Sequence, residues 1–268
     1  MQSQKQMEER ILFEEFIFGD GKETTINDTE FCVNRIVMLP RIRPHKLDQA
    51  VNHSAEYCKN DDFRKMILEK SNECPVLIYR LFKKGVFQFE EIEPFLGARD
   101  TFLLCHYFWK EIDDFETFIR SKDKPYDFER SNDIDQAIEY GFLPSSIEFC
   151  LKYDSIDQLI VSNPLKQEAK WSSFEWSIMP LYLDLLSFSG FFGSIRCFKY
   201  LILNGFKINN KVLSMVICNG SFDLFHICNE MQYYNINCVC KASEFNQIPL
   251  LVFMIENGVD INSKDNIF

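Results

Sequence analysis

The stretch Leu186–Asn209 reads LSFSGFFGSIRCFKYLILNGFKIN, and its reading decides the fold. Two later stretches line up with it: Leu213–Ile236, LSMVICNGSFDLFHICNEMQYYNI, and Val239–Asn262, VCKASEFNQIPLLVFMIENGVDIN. Each divides into two apolar runs at a break, at Gly193, Gly220 and Asn246, so the spacings are 27 and 26 residues. A polar residue follows each break (Ser194, Ser221, Gln247), and an apolar one follows that (Ile195, Phe222, Ile248). The second runs carry Phe198-Leu201-Ile202, Phe225-Cys228 and Leu251-Met254-Ile255 at helical spacing. Two short antiparallel helices with one apolar face cannot bury that face alone, so such units stack on their neighbours into a solenoid. Gly205 and Gly258 are expected to take the left-handed turn that ends each second helix, with Ile208 and Ile261 packing under the connector.

Upstream, the helical period continues. Phe63, Met66 and Ile67 are spaced i, i+3, i+4. Pro75 suits a first helical position, and Lys83-Lys84-Gly85 suits an end. Phe87, Phe89 and Ile92 open another unit, and Thr101 to Phe118 is rich in aromatics. Asp133 to Tyr140 is a helix stopped by Gly141, and Pro144-Ser145-Ser146 is the start of the next. Glu8 to Phe18 has a helix-like pattern, broken at Gly19-Asp20-Gly21. The predicted fold class is all-α, a helical-repeat solenoid. Residues 1–135 form its degenerate helical N-terminal part, and 136–268 hold the repeats with an inserted connector at 162–180.

Composition narrows the function classes. The 268 residues carry 29 Lys+Arg against 40 Asp+Glu, a net charge of −11, which argues against a nucleic-acid binder. Residues 181–268 contribute −1 of this, so −10 lies upstream. That acidic part would suit basic protein partners and solubility. There is no secretory leader pattern in the polar start MQSQKQMEER and no apolar window long enough for a membrane helix, so a cytoplasmic protein with reduced thiols is expected.

The copies resemble the ankyrin repeat. Leu186-Ser187 stands where that family has Leu-His of its T-P-L-H motif, Ser189-Gly190 where it has small paired residues, and Gly193-Ser194 at its inter-helix turn. Asn204-Gly205-Phe206-Lys207-Ile208-Asn209 and Asn257-Gly258-Val259-Asp260-Ile261-Asn262 match its terminal N-G-A-D-x-N. The Thr-Pro and the His are missing from every copy, and the period is about 6 residues short of 33. The blocks Cys74–Ile78, Gly85–Phe87, Tyr107–Phe115, Gly141–Glu148, Phe191–Ser194 and Cys197–Leu201 resemble the large ankyrin-repeat families of anaerobic protists. The resemblance implies a binding scaffold and no substrate. It implies partner contacts at turn tips and first helices, with Lys207, Asn210, Tyr233 and Tyr234 as the candidate tip residues. After Asn262 the chain reads as the entry to another repeat, which leads to the expectation of a longer array or of end-to-end self-association through the C-terminal repeat.

No motif announces a reaction. Cys238-x-Cys240 with Cys218, Cys228 and His226 lacks the paired short spacings of a zinc site. Cys105 and His106 are neighbours whose side chains diverge on a helix. Phosphate-loop signatures are missing, and Gly190-Phe191-Phe192-Gly193 is a helix junction set among phenylalanines. Asp113-Asp114, Glu90-Glu91 and Asp133/Asp135 read as solvated faces. Trp171 and Trp176 in the connector read as a core plug, with a partner anchor as the alternative. The sequence therefore predicts no enzyme, no cofactor and no metal, and a scaffold for an unidentified protein partner. An activity housed in 1–135, or a structural oligomer, are the alternatives.

Overall fold

The helices start and stop at residues whose chemistry dictates it, in a computed structural model that describes residues 29–42, 47–96, 102–120, 133–162, 168–170, 182–229, 236–245 and 247–259. These residues are mostly helical. They gather into two compact units, one holding the described residues up to 120 and the other those from 133 onward.

The first unit contains α1 (Thr29–Ile42), α2 (Leu47–Tyr57), α3 (Asp61–Glu69), α4 (Pro75–Lys83), α5 (Phe89–Ile92), α6 (Phe102–Tyr107) and α7 (Phe115–Arg120). Asn60 caps α3 by accepting the Phe63 N–H at 3.0 Å, and Pro75 begins α4. Here α1 packs on α2 and α3, α2 on α4, and α4 on α6. Each long helix thus meets the next but one. The core they enclose includes Val33, Ile36, Ile67, Leu77, Leu81 and Phe108, all at most 1% exposed. Phe108 receives Phe82 and Tyr79 edge-on, with ring centroids 5.2 and 5.9 Å away.

The second unit contains α8 (Asp133–Tyr140), α9 (Ile147–Lys152), α10 (Ile156–Ser162), β1 (Glu168–Lys170), β2 (Tyr182–Asp184), α11 (Leu185–Phe192), α12 (Ile195–Leu203), α13 (Asn210–Asn219), α14 (Phe222–Asn229), α15 (Ile236–Glu244) and α16 (Ile248–Glu256). Four consecutive pairs form: α9 with α10, α11 with α12, α13 with α14, and α15 with α16. Their first helices also pack in series, α9 on α11 on α13 on α15, and α10 packs on α12. The packing of α11 on α13 runs over Gly190. A Cβ there would lie 2.9 Å from Val216 Cγ2, so the missing side chain lets the backbones meet.

One helix stop recurs. After α12 the Phe206 N–H bonds the Leu201 carbonyl at 3.1 Å across Gly205, whose φ is 92°. After α16 the Val259 N–H bonds Met254 O at 3.2 Å, and after α4 the Val86 N–H bonds Leu81 O at 3.0 Å. This is the Schellman closure, which satisfies carbonyls left open at a helix end. Counting back from each glycine, Leu81, Leu201 and Met254 are fully buried in register, as are Leu77, Cys197 and Leu250 one turn earlier. The first unit therefore contains a helix built to the pattern of the second helices in the second unit.

The described residues depart from pure helix at one place. β1 and β2 form an antiparallel ribbon with Ala169 opposite Leu183. It lies within and just after the segment expected as a plain connector. Each strand is three residues long and its partner is distant in sequence, so no local alternation signals it. The expected helix at 8–18 and Ile261 fall outside the described residues.

Candidate interaction surface

The pairs are locked together by side chains that reach the open carbonyls of a neighbour. Ser194 Oγ donates to Leu151 O at the end of α9. Asn219 Nδ2 donates to Phe191 O at the end of α11 (3.0 Å), and Gln247 Nε2 to Cys218 O at the end of α13 (2.6 Å). Each bond joins the inter-helix turn of one pair to that of the pair before it. A first helix leaves its last carbonyls without intrahelical partners, so the bridge satisfies a group that burial would otherwise penalise. Asp154 adds a fourth tie: its carboxylate accepts the Arg196 N–H at 3.1 Å and the Cys197 N–H at 2.8 Å, capping α12 from the preceding pair. The outcome is a fixed spacing between successive pairs and between the side chains they display.

On this frame Lys207 and Asn210 are both exposed, at the tip that joins α12 to α13. Their neighbour Asn209 holds the tip in shape, its Oδ1 accepting the Lys211 N–H at 2.9 Å and the Val212 N–H at 3.0 Å. Tyr233 and Tyr234, the other candidate tip residues, lie outside the described residues, as do Trp171 and Trp176.

The first-helix side chains expected to face a partner are not available in the second pair. All eight residues of α11 are buried. The ribbon is one reason: β1 packs on both α9 and α11, and its inward Ala169 and Leu183 are buried. Among the described residues the large exposed aliphatic side chains fall instead on second helices: Ile160 and Val161 on α10, Leu203 on α12, Val252 and Ile255 on α16. On α12 the exposed positions Arg196, Lys199 and Leu203 form one stripe at i, i+3, i+7, opposite the buried Cys197, Phe198 and Leu201. The sequence holds that signal, since it is the complement of the apolar stripe that revealed the helix.

The chemistry-bearing residues have structural partners. Cys105 Sγ donates to Leu96 O at 3.2 Å, whereas the His106 ring meets Phe115 edge-on at 5.7 Å. Nine of the ten cysteines are buried and Cys240 is exposed. Burial pushes the thiols of Cys218 and Cys228 up to about 12 and that of Cys58 up to about 11, so they carry their protons at neutral pH. Glu91 takes a bidentate bond from Arg64, at 2.9 and 2.5 Å, and the guanidinium holds its carboxyl below the usual range. Asp114 accepts the Thr117 N–H at 3.4 Å. Among the described residues no group of three or more His, Cys, Asp or Glu gathers as metal ligands do, and no helix is long and apolar enough to cross a membrane. Set against known proteins, the chain matches no family model, no curated protein and no solved structure.

Proposed function

We propose that this chain is a non-catalytic protein-interaction scaffold of the cytoplasm, an ankyrin-like solenoid whose rigid frame displays turn tips to a protein partner. One observation carries the reading: Ser194, Asn219 and Gln247, at three inter-helix turns, each donate to a carbonyl at the end of the preceding first helix. Such a device holds pairs in register and serves a protein whose business is to present side chains at fixed spacing. The Schellman stop shared by α4, α12 and α16 supports residues 1–135 as a degenerate part of the same architecture.

The test is reconstitution. Protein captured from a lysate of the source cell is purified and titrated against the full chain. A saturable complex that weakens about tenfold with Lys207→Ala/Asn210→Ala supports the reading, since about 1.4 kcal/mol is expected from losing two tip contacts. Failure of every captured protein to bind saturably after purification overturns it.

A further inference from the structure

We infer that the outward face of α12 docks an acidic protein segment that carries an apolar side chain. This rests on the interaction reading and names the chemistry of one partner site.

The first observation is charge. From Leu185 to Lys211 the chain holds four basic residues (Arg196, Lys199, Lys207, Lys211) and no acidic one, within a sequence of 40 acids and 29 bases. All four are exposed. Of the acids flanking this stretch, Asp184 accepts the N–H and the hydroxyl of Ser187, while Asp223 is exposed in the first turn of α14; Asp154, from the preceding pair, accepts two backbone N–H groups of α12. Elsewhere the exposed Lys59 and Lys65 each pair with a glutamate three or four residues away, Glu56 and Glu69, whereas among the described residues the exposed Lys83 and Lys84 do not. Among the described residues the four cations of this stretch have no such partner.

The second observation is the apolar end of the stripe. Leu203 is 85% exposed, one turn beyond Lys199 on the same face. Arg196 to Leu203 spans about 10 Å at 1.5 Å per residue. A complementary segment would present two carboxylates about one turn apart and an apolar side chain one turn further, the pattern of an acidic amphipathic helix. A phosphate backbone has no use for an exposed leucine. Charge complementarity and the apolar terminus together select an acidic protein segment.

The test pans the full chain against a displayed library of random 16-residue peptides and measures the enriched peptides by fluorescence anisotropy. Enriched sequences should be rich in Asp and Glu with a Leu or Phe, and their affinity should fall at least about tenfold with Arg196→Glu/Lys199→Glu, because like charges then face one another. Leu203→Asp should weaken them as well. Glutamate at 196 lies in the first turn of α12, where an acid suits the helix dipole, and Lys199→Gln provides a neutral second variant. Peptides without acidic excess, or acidic peptides that bind the α12 variants undiminished, overturn the inference. If binding falls with Lys207→Ala/Asn210→Ala and ignores the α12 variants, the scaffold reading survives while this one fails. A fluorescein-labelled single-stranded oligonucleotide that binds and displaces the peptides would assign the face to nucleic acid and also overturn it.

Discussion

Gly205 and Gly220 share a left-handed backbone, φ 92° and 86°, but not their surroundings. Nothing lies within 4 Å of a Cβ built on Gly205, whereas one on Gly220 would strike the amide of the buried Gln247. Gly205→Ala is therefore expected to cost about 1–2 kcal/mol, the penalty of the conformation alone. Gly220→Ala should cost about 1–2 kcal/mol more, because Gln247 must move and Cys218 O loses its donor. Urea denaturation of both variants measures the difference, and equal losses would refute the bridging role of Gln247. The thiols give a second prediction. Cys218 and Cys228 titrate near 12 in the folded chain against 9.0 for the free group, so unfolded thiols ionise first as pH rises. Their contribution to stability is intact below about pH 9 and is lost progressively from there upward through the folded value. The urea midpoint should fall between pH 9 and 11, and less steeply in a Cys218→Ala/Cys228→Ala variant. At pH 8 iodoacetamide should label Cys240 first.

At the scale of elements, what joins one pair to the next is more informative than the helices themselves. Asp154 sits in the turn after α9 with φ 52° and caps α12 across the pair boundary. Asp154→Ala is expected to destabilise by about 1–2 kcal/mol, because two N–H groups of α12 lose their acceptor. Asp154→Gly should cost less than Asp154→Ala, since glycine accepts the left-handed backbone that alanine resists. Chemical denaturation of the two variants decides it, and the reverse order would mean that backbone strain plays no part there. Local features of this kind explain what could be read from the sequence. Pro75, Gly85, Gly141, Ser146 and Gly205 mark helix ends through their own chemistry, and each marks one in the structure. The period of Gly193 and Gly220 revealed the pairs. The ribbon was not legible, because Ala169 meets Leu183 only once the intervening chain has folded back. Nor was α1, where Val33, Ile36 and Val37 supply the helical spacing but Pro40 falls inside the helix. Of the candidate surface, the tip at Lys207 and Asn210 was visible from the repeat ending. The burial of α11 was not, since it depends on the ribbon packed against it.

At the scale of the molecule, each unit has its own core. Leu77, Leu81 and Phe108 close the first, and Phe198, Leu201, Val216 and Phe225 close the second, all at most 1% exposed. In the second unit every pair touches mainly its neighbours, so local damage is passed along the array through first-helix contacts and carbonyl bridges. Leu201→Ala removes buried methyl groups at the base of a Schellman turn and is expected to cost about 2–5 kcal/mol. A unit with its own core loses its own stability first. Hydrogen exchange on the full chain should therefore show protection falling across α9 to α16 while α1 to α6 keep theirs, and Leu77→Ala should show the converse. If either substitution lowers protection equally in both units, they unfold as one cooperative body. In that case, the stability of the tip at Lys207 and of the α12 face depends on every core residue in the chain.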